Sequence, residues 1–337
     1  MPLRREHFYF GMKVSSTVGR PSKGGHEPAY LALHRSGELA RRAQLADDRL
    51  EDCDLCARYC HVNRKETLHG VVCRTGELAV VNSAGPHHGE EDCLRGWRGS
   101  GVIFFSWCNM RCVFCQNWEI SWKARGTERT AEELAETMLE LQSIGCHNIN
   151  LVSPSHVVAQ ILAALVIAAG EGLRLPLVYN SGGYDSPEAL ALLDGVVDIY
   201  MPDMKYGDPE LARKYSHTPD YVEANHSAVR EMHRQVGDLK LSSDGIAERG
   251  LLVRHLVLPN GIAGTEQVVR FLAREISPDT YINIMDQYRP AYRAGEYPEL
   301  DRMITPEEYK AALDAAAAAG LRRLDRRCTD RWVVRWP

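Results

Sequence analysis

From residue 101 to residue 320 short apolar runs alternate with longer stretches of helical period, and this alternation constrains the fold more than any other feature. The apolar runs Val102–Trp107, Asn148–Val152, Leu177–Tyr179, Val197–Met201, Leu251–Leu258 and Tyr281–Met285 read as buried strands. Helix-like segments lie between them at 156–170, 187–194, 220–236, 265–275 and 305–319. A further one opens with Thr130-Ala-Glu-Glu133, a capping box in which Thr130 is the N-cap. Strands that alternate with helices pair in parallel through right-handed crossovers. Six such units are too few to close an eight-stranded barrel, so the expected fold is α/β, a partial (β/α)6 barrel with a Cys-rich N-terminal segment. In such folds reactive groups belong at the carboxyl ends of the strands.

Ahead of this region, Tyr30, Leu31, Leu33, Leu39 and Ala40 show helical periodicity after a Gly/Pro/Ser-rich stretch at 20–28. A Cys-rich, Gly-punctuated segment follows over 53–101. The expected division is a helical and Cys-rich N-terminal region (1–100), the barrel (101–325) and a C-terminal tail (326–337). The composition, 45% apolar and 25% charged, is that of an ordinary globular protein, and a net charge of −5 offers no global attraction to nucleic acid. Arg322, Arg323, Arg326, Arg327, Arg331 and Arg335 make the C-terminus locally basic, read as a solvated face or strand edge. The opening MPLRREHFYF lacks the apolar core of a signal peptide. The longest apolar run, Val157–Ala169, includes Gln160 and falls short of the roughly 20 residues a bilayer requires. The expectation is a cytoplasmic protein with neither membrane nor nucleic-acid partners. Its ten cysteines should be reduced there, and clustered ones point to metal ligation.

The first apolar run ends in Cys108-Asn-Met-Arg-Cys112-Val-Phe-Cys115, three thiols within eight residues in a post-strand loop. Three thiolates can hold three corners of an iron–sulfur cube and leave the fourth iron open, whereas an electron-transfer ferredoxin uses four. Structural zinc prefers four ligands in paired Cys-x2-Cys spacing, and no fourth Cys or His follows closely. Upstream, Cys53, Cys56, Cys60 and Cys73 supply four thiols, enough to close a site completely. Structural zinc, a fully ligated second [4Fe–4S] cluster and reduced core thiols are the alternatives, with His61, His87 and His88 as substitute ligands. Cys146 and Cys328 are isolated and expected to be buried and inert, and Cys93 reads as incidental.

The spacing Cys-x3-Cys-x2-Cys, with Phe114 before the third cysteine, resembles the radical S-adenosylmethionine superfamily. The wider text is similar to the pyruvate formate-lyase activating enzymes and, among them, to the PflX-like branch. It includes Cys53 to Arg64, Cys108 to Ser121, Asn148 to His156, Val178 to Tyr184, Asp198 to Tyr206 and Arg254 to Asn260, so the resemblance covers residues 50–320. It implies that the methionine amino and carboxylate groups of S-adenosylmethionine chelate the open iron. A one-electron donor such as flavodoxin or ferredoxin reduces the cluster, the C5′–S bond breaks, and the 5′-deoxyadenosyl radical takes a hydrogen atom from substrate. No catalytic side chain is assigned beyond the cluster itself.

The same resemblance assigns cofactor contacts. Ser153 stands where the superfamily carries a Gly-Gly-Glu-type turn for the amino group. Asn180 and Ser181 correspond to contacts with the carboxylate and ribose, with Gly182 and Gly183 allowing close approach. Asp203 and Lys205 match an Asp-x-Lys that suits the carboxylate, or a monovalent cation at the Asp. One of Arg254 and His255 should face the cavity, Gln287 or Tyr288 replaces a cofactor-contacting His, and Glu90 and Glu91 border the substrate. His156 is either a substrate acid/base or a helix-starting cap. By analogy with accessory clusters of the superfamily, a second cluster would relay electrons or fix substrate.

Three functions are consistent with these features. The first is a radical enzyme acting on a protein or peptide, including activation of a glycyl-radical enzyme. The second modifies a small metabolite in a biosynthetic pathway. The third is a non-enzymatic Fe–S electron carrier or assembly factor, which would not need the cofactor-contact segments 180–184 and 203–205.

Overall fold

The computed structural model describes residues 26–328 apart from Ala124. The MPLRREHFYF opening, most of the Gly/Pro/Ser-rich stretch, Arg331, Arg335 and most of the 326–337 tail lie outside the described residues. Among the described residues ten strands form the sheet: β1 (Ala79–His87), β2 (Ser100–Phe105), β3 (Thr127–Arg129), β4 (Ile149–Val152), β5 (Leu177–Asn180), β6 (Ile199–Tyr200), β7 (Lys240–Leu241), β8 (Ala247–Leu256), β9 (Tyr281–Met285) and β10 (Arg323–Leu324). Their order is β10-β9-β8-β6-β5-β4-β2-β1-β3, with β7 paired to β8. Neighbours from β2 through β10 on this path are parallel, while β1 pairs antiparallel with both β2 and β3. The path does not close on itself, so the parallel strands form an open, partial barrel.

The helices are α1 (Tyr30–Arg35), α2 (Glu38–Asp48), α3 (Asp92–Arg95), α4 (Trp118–Ser121), α5 (Ala131–Ile144), α6 (Val158–Gly170), α7 (Pro187–Leu193), α8 (Pro209–Ser216), α9 (Tyr221–Val236), α10 (Thr265–Phe271) and α11 (Pro306–Ala319). Their ends follow local chemistry. The Thr130–Glu133 capping box forms as expected and α5 stops at left-handed Gly145. Thr305, Glu308 and Pro306 start α11 in the same way, and Gly320 ends it. Alternation along the strands sorts two faces. Ile103, Phe105, Ile149, Leu151, Leu177, Tyr179, Tyr200, Leu251, Val253, Ile282 and Ile284 join the large core under the helices. Val178, Ile199, Met201 and Leu252 face the concave side, where Cys93 and Leu94 of α3 close against them.

All six expected strands are present. The sequence reading missed β1 and α8, and with them the short elements β3, β7, β10, α3 and α4. Tertiary pairing makes β1: its second half, from Ser83 to His87, is mostly exposed and carries no large apolar side chain, and its backbone is held by β2. α8 spans only eight residues, PELARKYS, and the available signal was its start, Asp208 capping ahead of Pro209. Arg327 departs from the solvated reading of the C-terminal arginines. Its guanidinium binds fully buried Glu91 at 3.0 Å and the Gly89 carbonyl at 3.0 Å. Cys93, Cys146 and Cys328 are buried. Among the described residues no helix is long and apolar enough to cross a membrane.

Candidate functional site

The site gathers at the carboxyl ends of the parallel strands. After β2, Trp107 adopts a left-handed backbone (φ 68°), which turns the chain into the Cys108–Cys115 loop. After β4, Ser153 does the same (φ 59°). Non-glycine residues held there are strained, and strain of this kind concentrates at functional sites.

Backbone pairing with the end of α8 fixes the cysteine loop: Arg111 N–H donates to the Ser216 carbonyl (3.2 Å) and Val113 N–H to the Tyr215 carbonyl (2.8 Å). From below, Phe114 packs edge-on against Tyr206 and Tyr288. Each thiol has a polar neighbour. The Ser216 hydroxyl donates to Cys112 Sγ at 3.0 Å, the Met110 N–H to Cys108 Sγ at 3.4 Å, and Cys115 Sγ lies 3.6 Å from Ser121 Oγ. Burial first, then the neighbouring thiols Cys112 and Cys115, push the Cys108 thiol up to about 12. Three clustered soft donors, each with an N–H or O–H alongside, fit an iron–sulfur cube better than free thiols, since hydrogen bonds to the sulfurs tune such clusters. Among the described residues no three His, Cys, Asp or Glu side chains converge to grip one metal ion. A cube does not ask for that, because each thiolate binds a different iron.

Beside the loop stand two of the expected strand-end motifs. A Cβ on Gly182 would lie 2.9 Å from Met110 Sδ and 3.9 Å from Lys205 Cε, so the 180–184 turn, the cysteine loop and Lys205 share one locus. Lys205 Nζ pairs with Asp203 Oδ2 at 2.5 Å. The Lys205 charge acts on both Cys108 and Cys115, and Asp203 and Cys112 hold the ammonium charged against its burial. Asn180 is on the concave face of β5, and its carbonyl accepts the Ser153 N–H at 2.9 Å, joining those two positions. The Ser181 hydroxyl is engaged within its own turn, donating to Asp185 Oδ2 (2.7 Å) and accepting the Gly183 N–H (3.1 Å).

The structure separates the pair left open in the sequence. Arg254 faces the concave side, held by Glu91 (Nε to Oε1, 2.9 Å) and Glu90. His255 points outward to Thr265 Oγ1 (2.8 Å) and the Met204 carbonyl (2.7 Å). His156 is buried, with Nε2 at 2.9 Å from the Ser106 carbonyl, and burial drives its pKa to about 3, so it is neutral. Tyr288 donates to the Leu300 carbonyl (2.7 Å) beneath Phe114, while Gln287 is exposed. Two residues that sequence reasoning missed order the site. Tyr221 OH bridges the Gly182 carbonyl (2.9 Å), the Asp203 carbonyl (3.1 Å) and the Lys205 N–H (3.0 Å). Asn225 Nδ2 donates to the Gly183 and Asp203 carbonyls, both at 2.9 Å. Both are on the buried face of α9, where they read as ordinary core positions.

An open parallel β/α barrel with a three-thiol loop after its first parallel strand defines a class of cluster-dependent enzymes. A family model described as the radical SAM superfamily matches residues 102–247. An uncharacterized protein of Methanocaldococcus jannaschii is 32% identical over 285 residues, covering 82% of this chain and 78% of that one. Among solved structures, Streptococcus suis SuiB bound to its precursor peptide SuiA aligns with a TM-score of 0.45 and 9% identity, over 64% of this chain and 44% of SuiB. A radical SAM methyltransferase from Sphaerobacter thermophilus aligns with a TM-score of 0.44 and 14% identity, over 66% of this chain and 65% of that one. The chain belongs to the radical SAM superfamily. It is therefore an enzyme of the class that works with a [4Fe–4S] cluster and S-adenosylmethionine, and it requires an electron donor and a substrate.

Proposed function

We propose that Cys108, Cys112 and Cys115 hold the cluster and that Lys205, oriented by Asp203, receives the methionine carboxylate of S-adenosylmethionine beside it. The juxtaposition of the Lys205–Asp203 pair with the cysteine loop carries this reading. When bound, a cluster with an open iron supplies one electron to the sulfonium, and the C5′–S bond breaks to give methionine and a 5′-deoxyadenosyl radical. The chain's own residues bind and orient. The Ser153 carbonyl and hydroxyl stand at the strained end of β4 for the amino group, and Asn180 presents its amide from the concave face. Ser181 acts through the turn it shapes. A monovalent cation at Asp203 would have to share the carboxylate with the Lys205 ammonium. The four thiols of Cys53, Cys56, Cys60 and Cys73 form a second, separate metal site, and a flavodoxin- or ferredoxin-type carrier is the electron donor.

A protein or peptide is the proposed substrate class, with activation of a glycyl-radical enzyme as its most specific form. Supporting it is an aromatic and cationic apron beside the loop, where Trp118 stacks on Tyr292 (5.5 Å), Trp122 tilts onto the same ring (4.9 Å) and Lys123 lies over Trp118. A small metabolite is the second reading, favoured by the polar wall of Glu90, Glu91 and Arg254 inside the barrel.

Anaerobic reconstitution followed by dithionite and S-adenosylmethionine should yield 5′-deoxyadenosine. Its absence despite an intact four-iron cluster overturns the proposal. Deuterium transfer into 5′-deoxyadenosine from a deuterated cell extract then separates the substrate classes. Transfer from the protein fraction supports the first, and transfer only from the ultrafiltrate replaces it with the second.

A further inference from the structure

Seven side chains beside the cysteine loop stack in one unbroken row. Arg74 lies over the Trp107 ring (5.2 Å), and Arg111 lies over both Trp107 (5.9 Å) and Trp122 (4.9 Å). Tyr292 joins Trp122 (4.9 Å) to Trp118 (5.5 Å), and Lys123 lies over Trp118 (4.3 Å). Three separate segments supply the row: Arg74 precedes the barrel, Trp107 to Lys123 follow β2, and Tyr292 follows β9. β2 and β9 stand toward opposite ends of the parallel path, so their loops meet where the barrel is open. Gln116 Nε2 donates to the Gln287 carbonyl (3.1 Å) and the Arg293 N–H to the Val113 carbonyl (2.9 Å), which pins that meeting. Three members of the row, Arg74, Trp107 and Tyr292, hold left-handed backbones (φ 49°, 68° and 55°). Such strain clusters at binding and catalytic sites.

The row ends in two exposed cations, Arg74 and Lys123. Among the described residues no carboxylate pairs with either one; Glu119 and Glu296, on the same two loops, are engaged by Arg125 (3.1 Å) and Arg293 (2.6 Å). In a chain with 45 acidic and 40 basic residues this is a local reversal of sign. Arg111, in the middle, is turned inward: it donates to the carbonyls of Ser121 (3.1 Å) and Val72. A guanidinium stacked on a ring keeps its in-plane N–H groups for a carboxylate. Trp, Tyr and Arg are also the residues that dominate binding energy at protein interfaces. Single-stranded nucleic acid, the other polyanion, stacks its bases on open ring faces. Here every ring lies between two members of the row, which leaves ring edges and cationic tips.

Resting on the reading of a protein or peptide substrate, we propose that this row docks an acidic segment of the substrate polypeptide, whose carboxylates pair with Arg74 and Lys123 at the two ends. Six successive contacts of 4.3–5.9 Å place those ends at most about 31 Å apart, the reach of roughly nine extended residues. Trp107 and Arg111 bracket Cys108, so the segment is anchored beside the cysteine loop while the reacting residue, elsewhere in the substrate, enters the barrel.

The test is fluorescence anisotropy at low ionic strength, with the reconstituted full chain kept anaerobic and free of S-adenosylmethionine. The probe is a labelled peptide of about twelve residues, alternating Glu and Ala, long enough to span both ends. It should bind, and the double variant Arg74→Gln, Lys123→Gln should weaken binding about fivefold or more. Arg41→Gln, on exposed α2, is the control and should leave the affinity as it is. Equal binding of a Gln/Ala peptide, equal binding by the double variant, or tighter binding of an oligodeoxynucleotide of the same charge overturns the proposal. Deuterium transfer from the protein fraction of a deuterated extract, driven by dithionite so that no carrier protein has to dock, should fall by a similar factor in the double variant. Undiminished transfer overturns substrate docking and assigns the row to the electron carrier. Peptide binding is read without turnover, so its failure is distinct from a failure to form 5′-deoxyadenosine. Transfer only from the ultrafiltrate in the unaltered chain overturns the substrate class itself.

Discussion

Substituting Gly183 by alanine tests whether the 180–184 turn, proposed to contact the cofactor, is built by close packing. Gly183 has φ 71°, and a Cβ would stand 2.2 Å from both Asn225 Nδ2 and the Asp203 carbonyl oxygen. The left-handed backbone alone costs an L-residue about 1–2 kcal/mol. Relieving the overlap means moving the Asp203 carbonyl, which Tyr221 and Asn225 both bind, and overpacking of this kind costs about 1–3 kcal/mol more. The sum is about 2–5 kcal/mol, with the displacement directed at the Asp203–Lys205 pair. Gly320→Ala supplies the control: its backbone is left-handed (φ 92°) at the end of α11, yet a Cβ there meets nothing within 4 Å. Urea midpoints should fall for both Gly183→Ala and Gly320→Ala, and further for the former. S-adenosylmethionine binding to the reconstituted enzyme, measured by anaerobic equilibrium dialysis, should weaken roughly tenfold or more in Gly183→Ala only. Equal stability losses in the two variants, or full affinity in Gly183→Ala, would refute the packing argument.

Other outcomes follow from the same geometry. Tyr221→Phe removes one hydroxyl that holds two carbonyls and an N–H; leaving such groups unpaired costs about 1–3 kcal/mol, and weaker S-adenosylmethionine binding should accompany the lower urea midpoint. Ser216→Ala deletes the hydrogen bond to Cys112 Sγ and should shift the cluster's reduction midpoint to more negative potential in an EPR-monitored titration, whereas an unmoved midpoint argues that this bond does not reach the cluster. His156 is neutral in the fold, with a pKa near 3 against an ordinary 6.5, so the unfolded chain takes up the proton first and stability falls as pH drops from 6.5 toward 3. By pH 5 that contribution is about 2 kcal/mol. His156→Gln should flatten this part of the acid profile, leaving the similar share of His255, whose pKa burial lowers to about 4.

Local chemistry along the chain determined much of this protein. Apolar runs placed six of the seven parallel strands among the described residues, all but the two-residue β10, because a strand buried on both faces needs a continuous apolar run. The Thr130 and Thr305 capping boxes and the terminal glycines Gly145 and Gly320 set helix ends, because those signals act within a few residues of themselves. The Cys108–Cys115 spacing was legible for the same reason: eight residues of one loop carry it. Only tertiary structure decided what depends on meetings across the chain. Arg254 and His255 are adjacent and equally polar, and which faced the cavity was settled by Glu90 and Glu91, more than 160 residues earlier. Tyr221 and Asn225 look like core residues of α9 until the 182–183 turn and the Asp203 carbonyl are brought to them. Arg327 reads as surface charge until Glu91, buried inside the open barrel, takes it as a counter-ion. A side chain's partner at long range is a property of the closed fold, and no local pattern in the sequence encodes it.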